Sequence, residues 1–457
     1  MNKELLTKYL NVALETGADF AEIYYEKTKN TIFRLNDSKL DSIDTNDEEG
    51  LGIRVIKKDE SYYTSTTNFD PENIEKTIRR LLKNIPVEKG RKVVLNELVD
   101  KRRKAKIPHA SFPVSAKKEL LYKIDKIARE QAKEVVQVST GIVESDKEFI
   151  IANSDSLLIT GNSILTRIVA TIFTEKNGTK AHEFVDYGKG LGYELLDEIS
   201  IEDMIEKTTK TAVDKLAAKD FKGGELPVVI APGFGAVIFH EACGHGLEAT
   251  SVAPHLSVFS DDLGKKIASP KVTLIDDGTI EGAWGSSIID DEGNPTQKNI
   301  LIENGILKSY LVDHFNSKEM KQKINGCGRR QDYHYSTTSR MSNTYLAPGT
   351  DKVDDMIKSI KLGVYCERMS GGSVNPSTGD FNFAVDTARL IEDGKLKELL
   401  KGITLIGNSK EILKNVEMVS DDLKISAGYC GSKSGTIPVT IGQPTIKVSK
   451  IIVGGKE

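Results

Sequence analysis

Apolar side chains at Leu5, Leu6, Tyr9, Leu10 and Ala13 recur at three- and four-residue intervals and share one helical face. The pattern predicts a helix over 3–15, stopped by Gly17. β-Branched and aromatic runs then predict strands over 21–25, 31–35, 50–56 and 62–66. A second helix is predicted over 71–82, opened by Pro71, whose missing N–H costs nothing in a first turn. Residues 85–113 read as extended, with scattered prolines. The order then returns: a helix over 116–132, extended segments over 135–143, 148–153, 157–159 and 165–174, and a helix over 194–218. Two passes of helix, strands and helix suggest an internal duplication near 1–110 and 111–222, or one large α+β domain.

The pattern changes at Gly223-Gly224. Pro227 to Ile230 reads as a short buried strand, Pro232-Gly233 turns it, and a helix is expected from Phe234. Beyond that helix, Asp277-Gly278, Asn304-Gly305 and Asp393-Gly394 each stand between apolar runs, the strongest short hairpin signal. Two of these stretches, LIENGILKSYLVD and LIEDGKLKELLKG, read almost alike. The expected class is α+β. An N-terminal domain, 1–222, has helices flanking antiparallel strands. A C-terminal domain, 223–457, is mostly antiparallel β and barrel-like, and carries the helix that begins at Phe234.

Composition adds bounds. The chain has 457 residues, 39% hydrophobic and 28% charged, which is ordinary for a folded protein. Its net charge of −4 and a basic run, Lys101 to Lys104, without interleaved aromatics speak against nucleic-acid binding. Four cysteines, Cys243, Cys327, Cys366 and Cys430, are too few and too scattered for a disulfide framework, so a reducing compartment is expected. The most apolar stretch, 228–240, is broken by Pro232, Gly233 and Gly235 and is too short to span a bilayer. No membrane association and a cytoplasmic location are expected.

The candidate chemistry lies in HEACGH, residues 240–245. It resembles the zinc motif H-E-x-x-H with one residue added. On a regular helix, residues five apart diverge by about 140°, against about 40° for residues four apart. His240 and His245 can face one ion only if a π-type turn inserts a residue or the helix ends between them. Gly244 suits either route, since glycine tolerates conformations that other residues avoid. The competing reading is a buried helix with two core histidines. Against it, Glu241 follows the apolar run Phe234 to Phe239, poor company for a carboxylate without a role.

Catalytic zinc takes three protein ligands and an open position. Candidates for the third are Cys243, Glu248, His255, His314, His334 and Cys430. Cys243 lies between the histidines and reads as a small buried hydrophobe. Glu248 suits a ligand or a residue behind one. Cys430, between Gly428 and Gly431, offers a soft thiolate or else a small residue in a tight turn. Spacing does not choose between Cys430 and the histidines. Arg329, Arg330, Tyr333, His334 and Arg340 crowd one donor-rich stretch and are candidates for binding substrate or an oxyanion, with a salt-bridged loop as the competing reading for each. Asp276-Asp277 and Asp290 to Glu292 read as turn acids beside Gly278 and Gly293.

Five segments, HEACGHGLEA, DDGTIEGAWGSSIIDDEGNPTQ, GCGRRQDYHYSTTSRMSNTYLAPG, STGDFNFAVDTARLIEDGKL and GYCGSKSGTIPVTIGQPTIKVSKIIVGG, together resemble the TldD/PmbA family. They cover most of 225–457 in the family's order. The H-E-x-x-x-H motif is similar to that of its TldD-type subunits, which PmbA-type (TldE) subunits lack. The resemblance implies a zinc metalloprotease acting on unfolded or extended peptides, with the peptide held as an added β-strand. It implies His240, His245 and Cys430 as metal ligands and Glu241 as the catalytic acid–base. It also implies a dimer, with a PmbA/TldE-type subunit or with itself. Two other classes stand beside it: a non-catalytic, metal-stabilised subunit that binds a peptide or partner, and a metal-dependent hydrolase of another bond. A structural site has no use for Glu241, which favours the enzyme.

Overall fold

The computed structural model describes residues 1–455. The first helix, Lys3–Ala13, starts where the Asn2 side chain accepts from the Leu5 N–H, and it buries Leu6, Tyr9, Leu10 and Ala13. The second, Pro71–Leu82, has the predicted bounds, with Asp70 accepting from the Glu72 N–H. The third is Val114–Gln131. The helix expected over 194–218 is divided. A 3₁₀ segment, Tyr193–Glu198, precedes the α-helix Ile201–Asp214, and a short 3₁₀ turn, Lys215–Ala217, follows it. The Ser200 hydroxyl accepts from the Asp203 N–H, so a fresh N-cap starts the helix in the middle of the predicted span.

The strands are longer than their apolar patterns. Phe20–Asn36, Val135–Asn153 and Leu158–Lys176 are each continuous where shorter segments were expected. Strand Lys39–Lys57 runs through the polar, largely exposed stretch 41–49 because antiparallel pairing with Phe20–Asn36 satisfies its backbone whatever its side chains. These strands form one sheet in the order Glu60–Thr66, Lys39–Lys57, Phe20–Asn36, Val135–Asn153, Leu158–Lys176, Val99–Asp100, with Thr179–Lys189 also pairing with Leu158–Lys176. Its central antiparallel ladder runs from Glu22↔Asn153 to Asn36↔Ser139, with Lys39–Lys57 and Glu60–Thr66 beyond it on one side and Leu158–Lys176, Thr179–Lys189 and Val99–Asp100 on the other. Helices Lys3–Ala13 and Pro71–Leu82 pack on one end, over Ile23, Leu51, Ile53 and Val55. Helices Val114–Gln131 and Ile201–Asp214 pack on the other, over Leu35, Ile142, Ile168 and Ile172.

The C-terminal half has two β layers. Strands Leu362–Val374, Gly224–Ile230, Ile446–Gly454, Ile403–Asn408 and Asp380–Glu392 pair in that order, and the last pairs with the first, closing a five-stranded barrel. The pairing of Gly224–Ile230 with Leu362–Val374 is parallel. A second sheet runs Ile306–Leu307, Lys298–Glu303, Leu274–Asp277, Asn343–Leu346, Gly435–Gln443, Lys424–Ser432. Ile238, Phe239 and Cys243 join one apolar cluster with Val364 and Phe383 of the barrel and Leu274 and Ile441 of the second sheet. The motif segment therefore lies in the core between the two layers.

Two of the three expected hairpins form. Asn304-Gly305 (φ 50° and 83°) joins Lys298–Glu303 to Ile306–Leu307, and Asp393-Gly394 (φ 47° and 71°) joins Asp380–Glu392 to Lys395–Leu400. Asp277-Gly278 makes no hairpin. Asp277 binds the Thr279 N–H and hydroxyl in a local turn, and Leu274–Asp277 pairs with Lys298–Glu303 across a long connection. Among the described residues, no helix is long and apolar enough to cross a membrane.

Candidate metal centre

The chain enters the motif through Gly233, whose φ of 86° turns it out of the barrel strand while its N–H donates to Gln443 O. A 3₁₀ turn, Phe234–Ala236, leads into the α-helix Val237–Ala242. The helix stops at Cys243 (φ −126°, ψ −51°), and a second 3₁₀ turn, Gly244–Leu247, carries His245. The extra residue is thus absorbed by ending the helix between the histidines, not by a π insertion. The two imidazoles lie with ring centroids 5.2 Å apart and planes at 83°. Gly244 contributes space. A Cβ there would fall 2.0 Å from Met341 Sδ, whereas its φ is not in the left-handed region.

The third donor comes from the second sheet. Cys430 lies on its edge strand Lys424–Ser432, opposite Ile437, and not in the turn, which follows at Lys433-Ser434. Its Sγ is 3.2 Å from His245 Nε2. Donor atoms of His240, His245 and Cys430 all lie within 4.8 Å of one another. Burial opposes ionisation of the Cys430 thiol, yet His240 and His245 outweigh it and bring its pKa down to about 3. Burial likewise opposes protonation of His245, and Glu248 with Cys430 outweighs that, pushing its pKa well up. Two imidazoles and a thiolate are a donor set that suits zinc, and His240 Nδ1 is buried without a hydrogen-bond partner. The residues fit a metal of that class.

Glu241 is partly exposed, with Oε2 3.8 Å from His245 Nε2. Glu248, buried at the N-cap of the short helix Ala249–Val252, faces His245 Nδ1 through Oε2 at 3.1 Å. It is thus placed behind His245, one of the three clustered donors. Cys243 is fully buried, and its burial pushes the thiol up.

The donor-rich stretch is not at liberty. Arg329 donates to Met341 O and Pro438 O, each at 2.7 Å. Arg330 pairs with Glu22 of the N-terminal sheet and lies over the Tyr24 ring, 4.2 Å from its centroid. Arg340 is 0% exposed and donates to Cys430 O, Ser434 Oγ and Gly435 O. Arg330 and Arg340 are buried, Arg329 is half-buried, and all three are bonded within the protein, which agrees with the bonded-loop reading more than with a role in binding substrate. His334 is exposed, with Nδ1 2.9 Å from Asp332 Oδ1, and Tyr333 O accepts from Tyr63 OH. His255 is exposed beside Asp261, and His314 stacks on Phe20; neither is among the clustered donors. The acids at 276–277 and 290–292 are taken up within the protein: Asp276 accepts from the Ser342 N–H and hydroxyl and the Thr344 hydroxyl, Asp290 from the N–H groups of Glu292, Asn294 and Gly328, and Glu292 pairs with Arg54. Spacing gave no signal for Arg340 as a neighbour of Cys430, since the contacts join segments far apart in sequence.

Three domain models of one family match the chain: PmbA/TldA metallopeptidase domain 1 at 21–85, the central domain at 107–216 and the C-terminal domain at 223–455. The metalloprotease TldD homolog of Buchnera aphidicola is 33% identical over 449 residues, 96% of this chain and 93% of that protein. The metalloprotease TldD homolog of Haemophilus influenzae is 30% identical over 468 residues, 100% of this chain and 97% of that protein. The zinc metalloprotease TldD homolog of Saccharolobus solfataricus is 28% identical, covering 98% of this chain and 99% of its own. The crystal structure of TldE from Thermococcus kodakarensis shares the fold, with a TM-score of 0.79 at 24% identity, over 98% of this chain and 100% of that one.

Proposed function

The chain belongs to the PmbA/TldD metallopeptidase family, and from that premise we propose a zinc peptidase that cleaves extended or unfolded peptides at His240, His245 and Cys430. That it is a metallopeptidase, a hydrolase of peptide bonds, follows from the family. The observation that carries the finer reading is the meeting of three buried donors beside a partly exposed Glu241.

When bound, zinc supplies a Lewis acid that polarises the scissile carbonyl and acidifies water. The chain's residues do the rest. His240, His245 and Cys430 present three donors, and Glu248 holds the His245 ring by its far nitrogen. Glu241, unlike the buried acids, has solvent access; it accepts a proton from the attacking water and returns it to the leaving amine.

The peptide docks as an added strand on Lys424–Ser432. Ala427 pairs with Thr440, whose N–H is used on its other neighbour, donating to Ser342 O. The Ala427 N–H and C=O therefore turn away from Gly435–Gln443, and the period of two extends this to Ile425, Tyr429 and Gly431. A substrate held by backbone alone can vary in sequence. The proposed assembly is a dimer with a PmbA/TldE-type subunit or with a second copy, a reading supported by the shared fold of the Thermococcus TldE.

The test is metal content and peptide cleavage of the purified chain, alone and with a PmbA/TldE-type subunit, beside Glu241→Gln. About one zinc per chain is expected in both proteins, with cleavage of an unfolded peptide lower by about 10²–10⁴ in the variant. A wild-type chain that takes up no metal, or a Glu241→Gln chain with full activity, overturns the proposal.

A further inference from the structure

Arg340 has no solvent exposure and cannot touch a substrate. Its hydrogen bonds go instead to the segment that carries Cys430, and its Nε faces Glu248 beside His245. Nη2 donates to Cys430 O at 2.6 Å, while Nη1 donates to Ser434 Oγ and Gly435 O, each at 3.0 Å. These acceptors bracket the turn that follows Cys430. On its other side, Nε faces Glu248 Oε1 at the ion-pair distance of 3.8 Å, and both atoms are buried without a hydrogen-bond partner. Glu248 Oε2 in turn faces His245 Nδ1. One guanidinium thus spans from the strand that carries the sulfur donor to the carboxylate that orients an imidazole donor.

We propose that Arg340 is the positioning residue of the metal centre, a strut that sets His245 and Cys430 to aim at one ion. The proposal rests on the metal-ligand assignment of the preceding section. His245 sits in a 3₁₀ turn and Cys430 on an edge strand of a separate layer, so no regular element holds their separation. A planar fork with five donors can reach the Cys430 carbonyl, the following turn and the Glu248 carboxylate together. A lysine ammonium reaches part of that set and cannot reproduce its angles. Glu248 alone orients the imidazole; its link to Arg340 ties that orientation to the Cys430 strand.

The experiment uses the full chain in four forms, wild type, Arg340→Lys, Arg340→Met and Glu248→Gln, plus the Arg340→Lys/Glu248→Gln pair. Zinc affinity is measured by chelator competition, and the site is read spectroscopically through the thiolate-to-metal charge-transfer band of the cobalt(II) form. Thermal unfolding without metal reports folding separately. Arg340→Met is expected to weaken zinc by about 10–100-fold, as loss of a group supporting a ligand typically does, with Arg340→Lys recovering part of it. The cobalt band should shift or weaken in both variants. The Lys/Gln pair should lose less than the product of its two single losses, because both act on one strut. Should Arg340→Met not fold, the Lys and Gln variants still decide, through that coupling. Folded Arg340 variants with zinc affinity within twofold of wild type and an unchanged cobalt band overturn the strut while the ligand assignment stands. A wild type that binds neither zinc nor cobalt overturns the assignment, and the strut with it.

Discussion

Cys430 Sγ lies 3.2 Å from His245 Nε2 across 185 residues of sequence. The contact joins the motif segment to the second sheet, just beyond the point where the motif helix ends. Burial opposes ionisation of that thiol, and the two histidines outweigh it and bring its pKa down to about 3.

Cys430→Ser should therefore abolish tight zinc binding, because a serine hydroxyl is a harder donor and stays protonated. At zinc a thousand-fold above its Kd, wild-type stability should rise by about 4 kcal/mol. The variant should show little rise. Urea unfolding with and without zinc checks this. Equal stabilisation of both proteins would remove Cys430 from the ligand set.

Gly244→Ala tests why glycine stands beside the second histidine. The added methyl would fall 2.0 Å from Met341 Sδ, in a fully buried region. Overpacking of this kind should cost about 1–3 kcal/mol and displace His245. Met341→Ala placed in the same chain should return part of the zinc affinity, since it clears the methyl's space. A Gly244→Ala chain with unchanged stability and zinc content would contradict the close approach seen here.

Elements held by neighbours in sequence were legible from it. Helix Pro71–Leu82 has its cap, its proline and its apolar face within one stretch, and both bounds were readable. The break between the histidines was readable as one of two routes, because a five-residue interval does not fit a regular turn. The choice of route was not, since Cys243 and Gly244 take their conformations from packing against Met341 and the surrounding core. Resemblance, not spacing, picked out Cys430. For Arg329, Arg330 and Arg340 the choice between substrate donors and a bonded loop was not readable, because a sequence does not show acceptors on remote segments. Asp277-Gly278 carried a hairpin signal, but the side chain of Asp277 turned the chain locally instead.

Asp313 provides a pH test away from the metal centre. Burial and then the Glu292 charge raise its carboxyl to about 6, and its Oδ2 has no hydrogen-bond partner. A raised folded-state pKa means that the protonated form is favoured on folding. Its stabilising contribution is full below the unfolded value near 4 and is lost as pH rises through about 6. Asp313→Asn removes that dependence. Relative to wild type, the variant should gain up to about 3 kcal/mol between pH 4 and pH 7. Urea midpoints of the two proteins at both pH values give the difference; a constant offset would refute the shift.

Arg54 Nη1 lies 2.6 Å from Glu292 Oε1, both side chains almost fully buried, and fastens the N-terminal sheet to the C-terminal half. Arg330 and Glu22 form a second such pair nearby. Burial works against the Glu292 carboxylate, but Arg54 outweighs it and keeps its pKa lowered. Arg54→Met leaves that charge without its main partner, which should cost about 3–5 kcal/mol. Adding Glu292→Gln should recover much of the loss: a neutral amide removes the stranded charge, and its oxygen can still accept from the His314 N–H or the Thr337 hydroxyl. Zinc affinity should change far less than stability. Every partner of Arg340, and each of the three proposed ligands, lies in the C-terminal half. Zinc titration of Arg54→Met under conditions where it remains folded separates the two effects. A loss of affinity as large as the loss of stability would mean that the N-terminal sheet itself holds the metal donors in place.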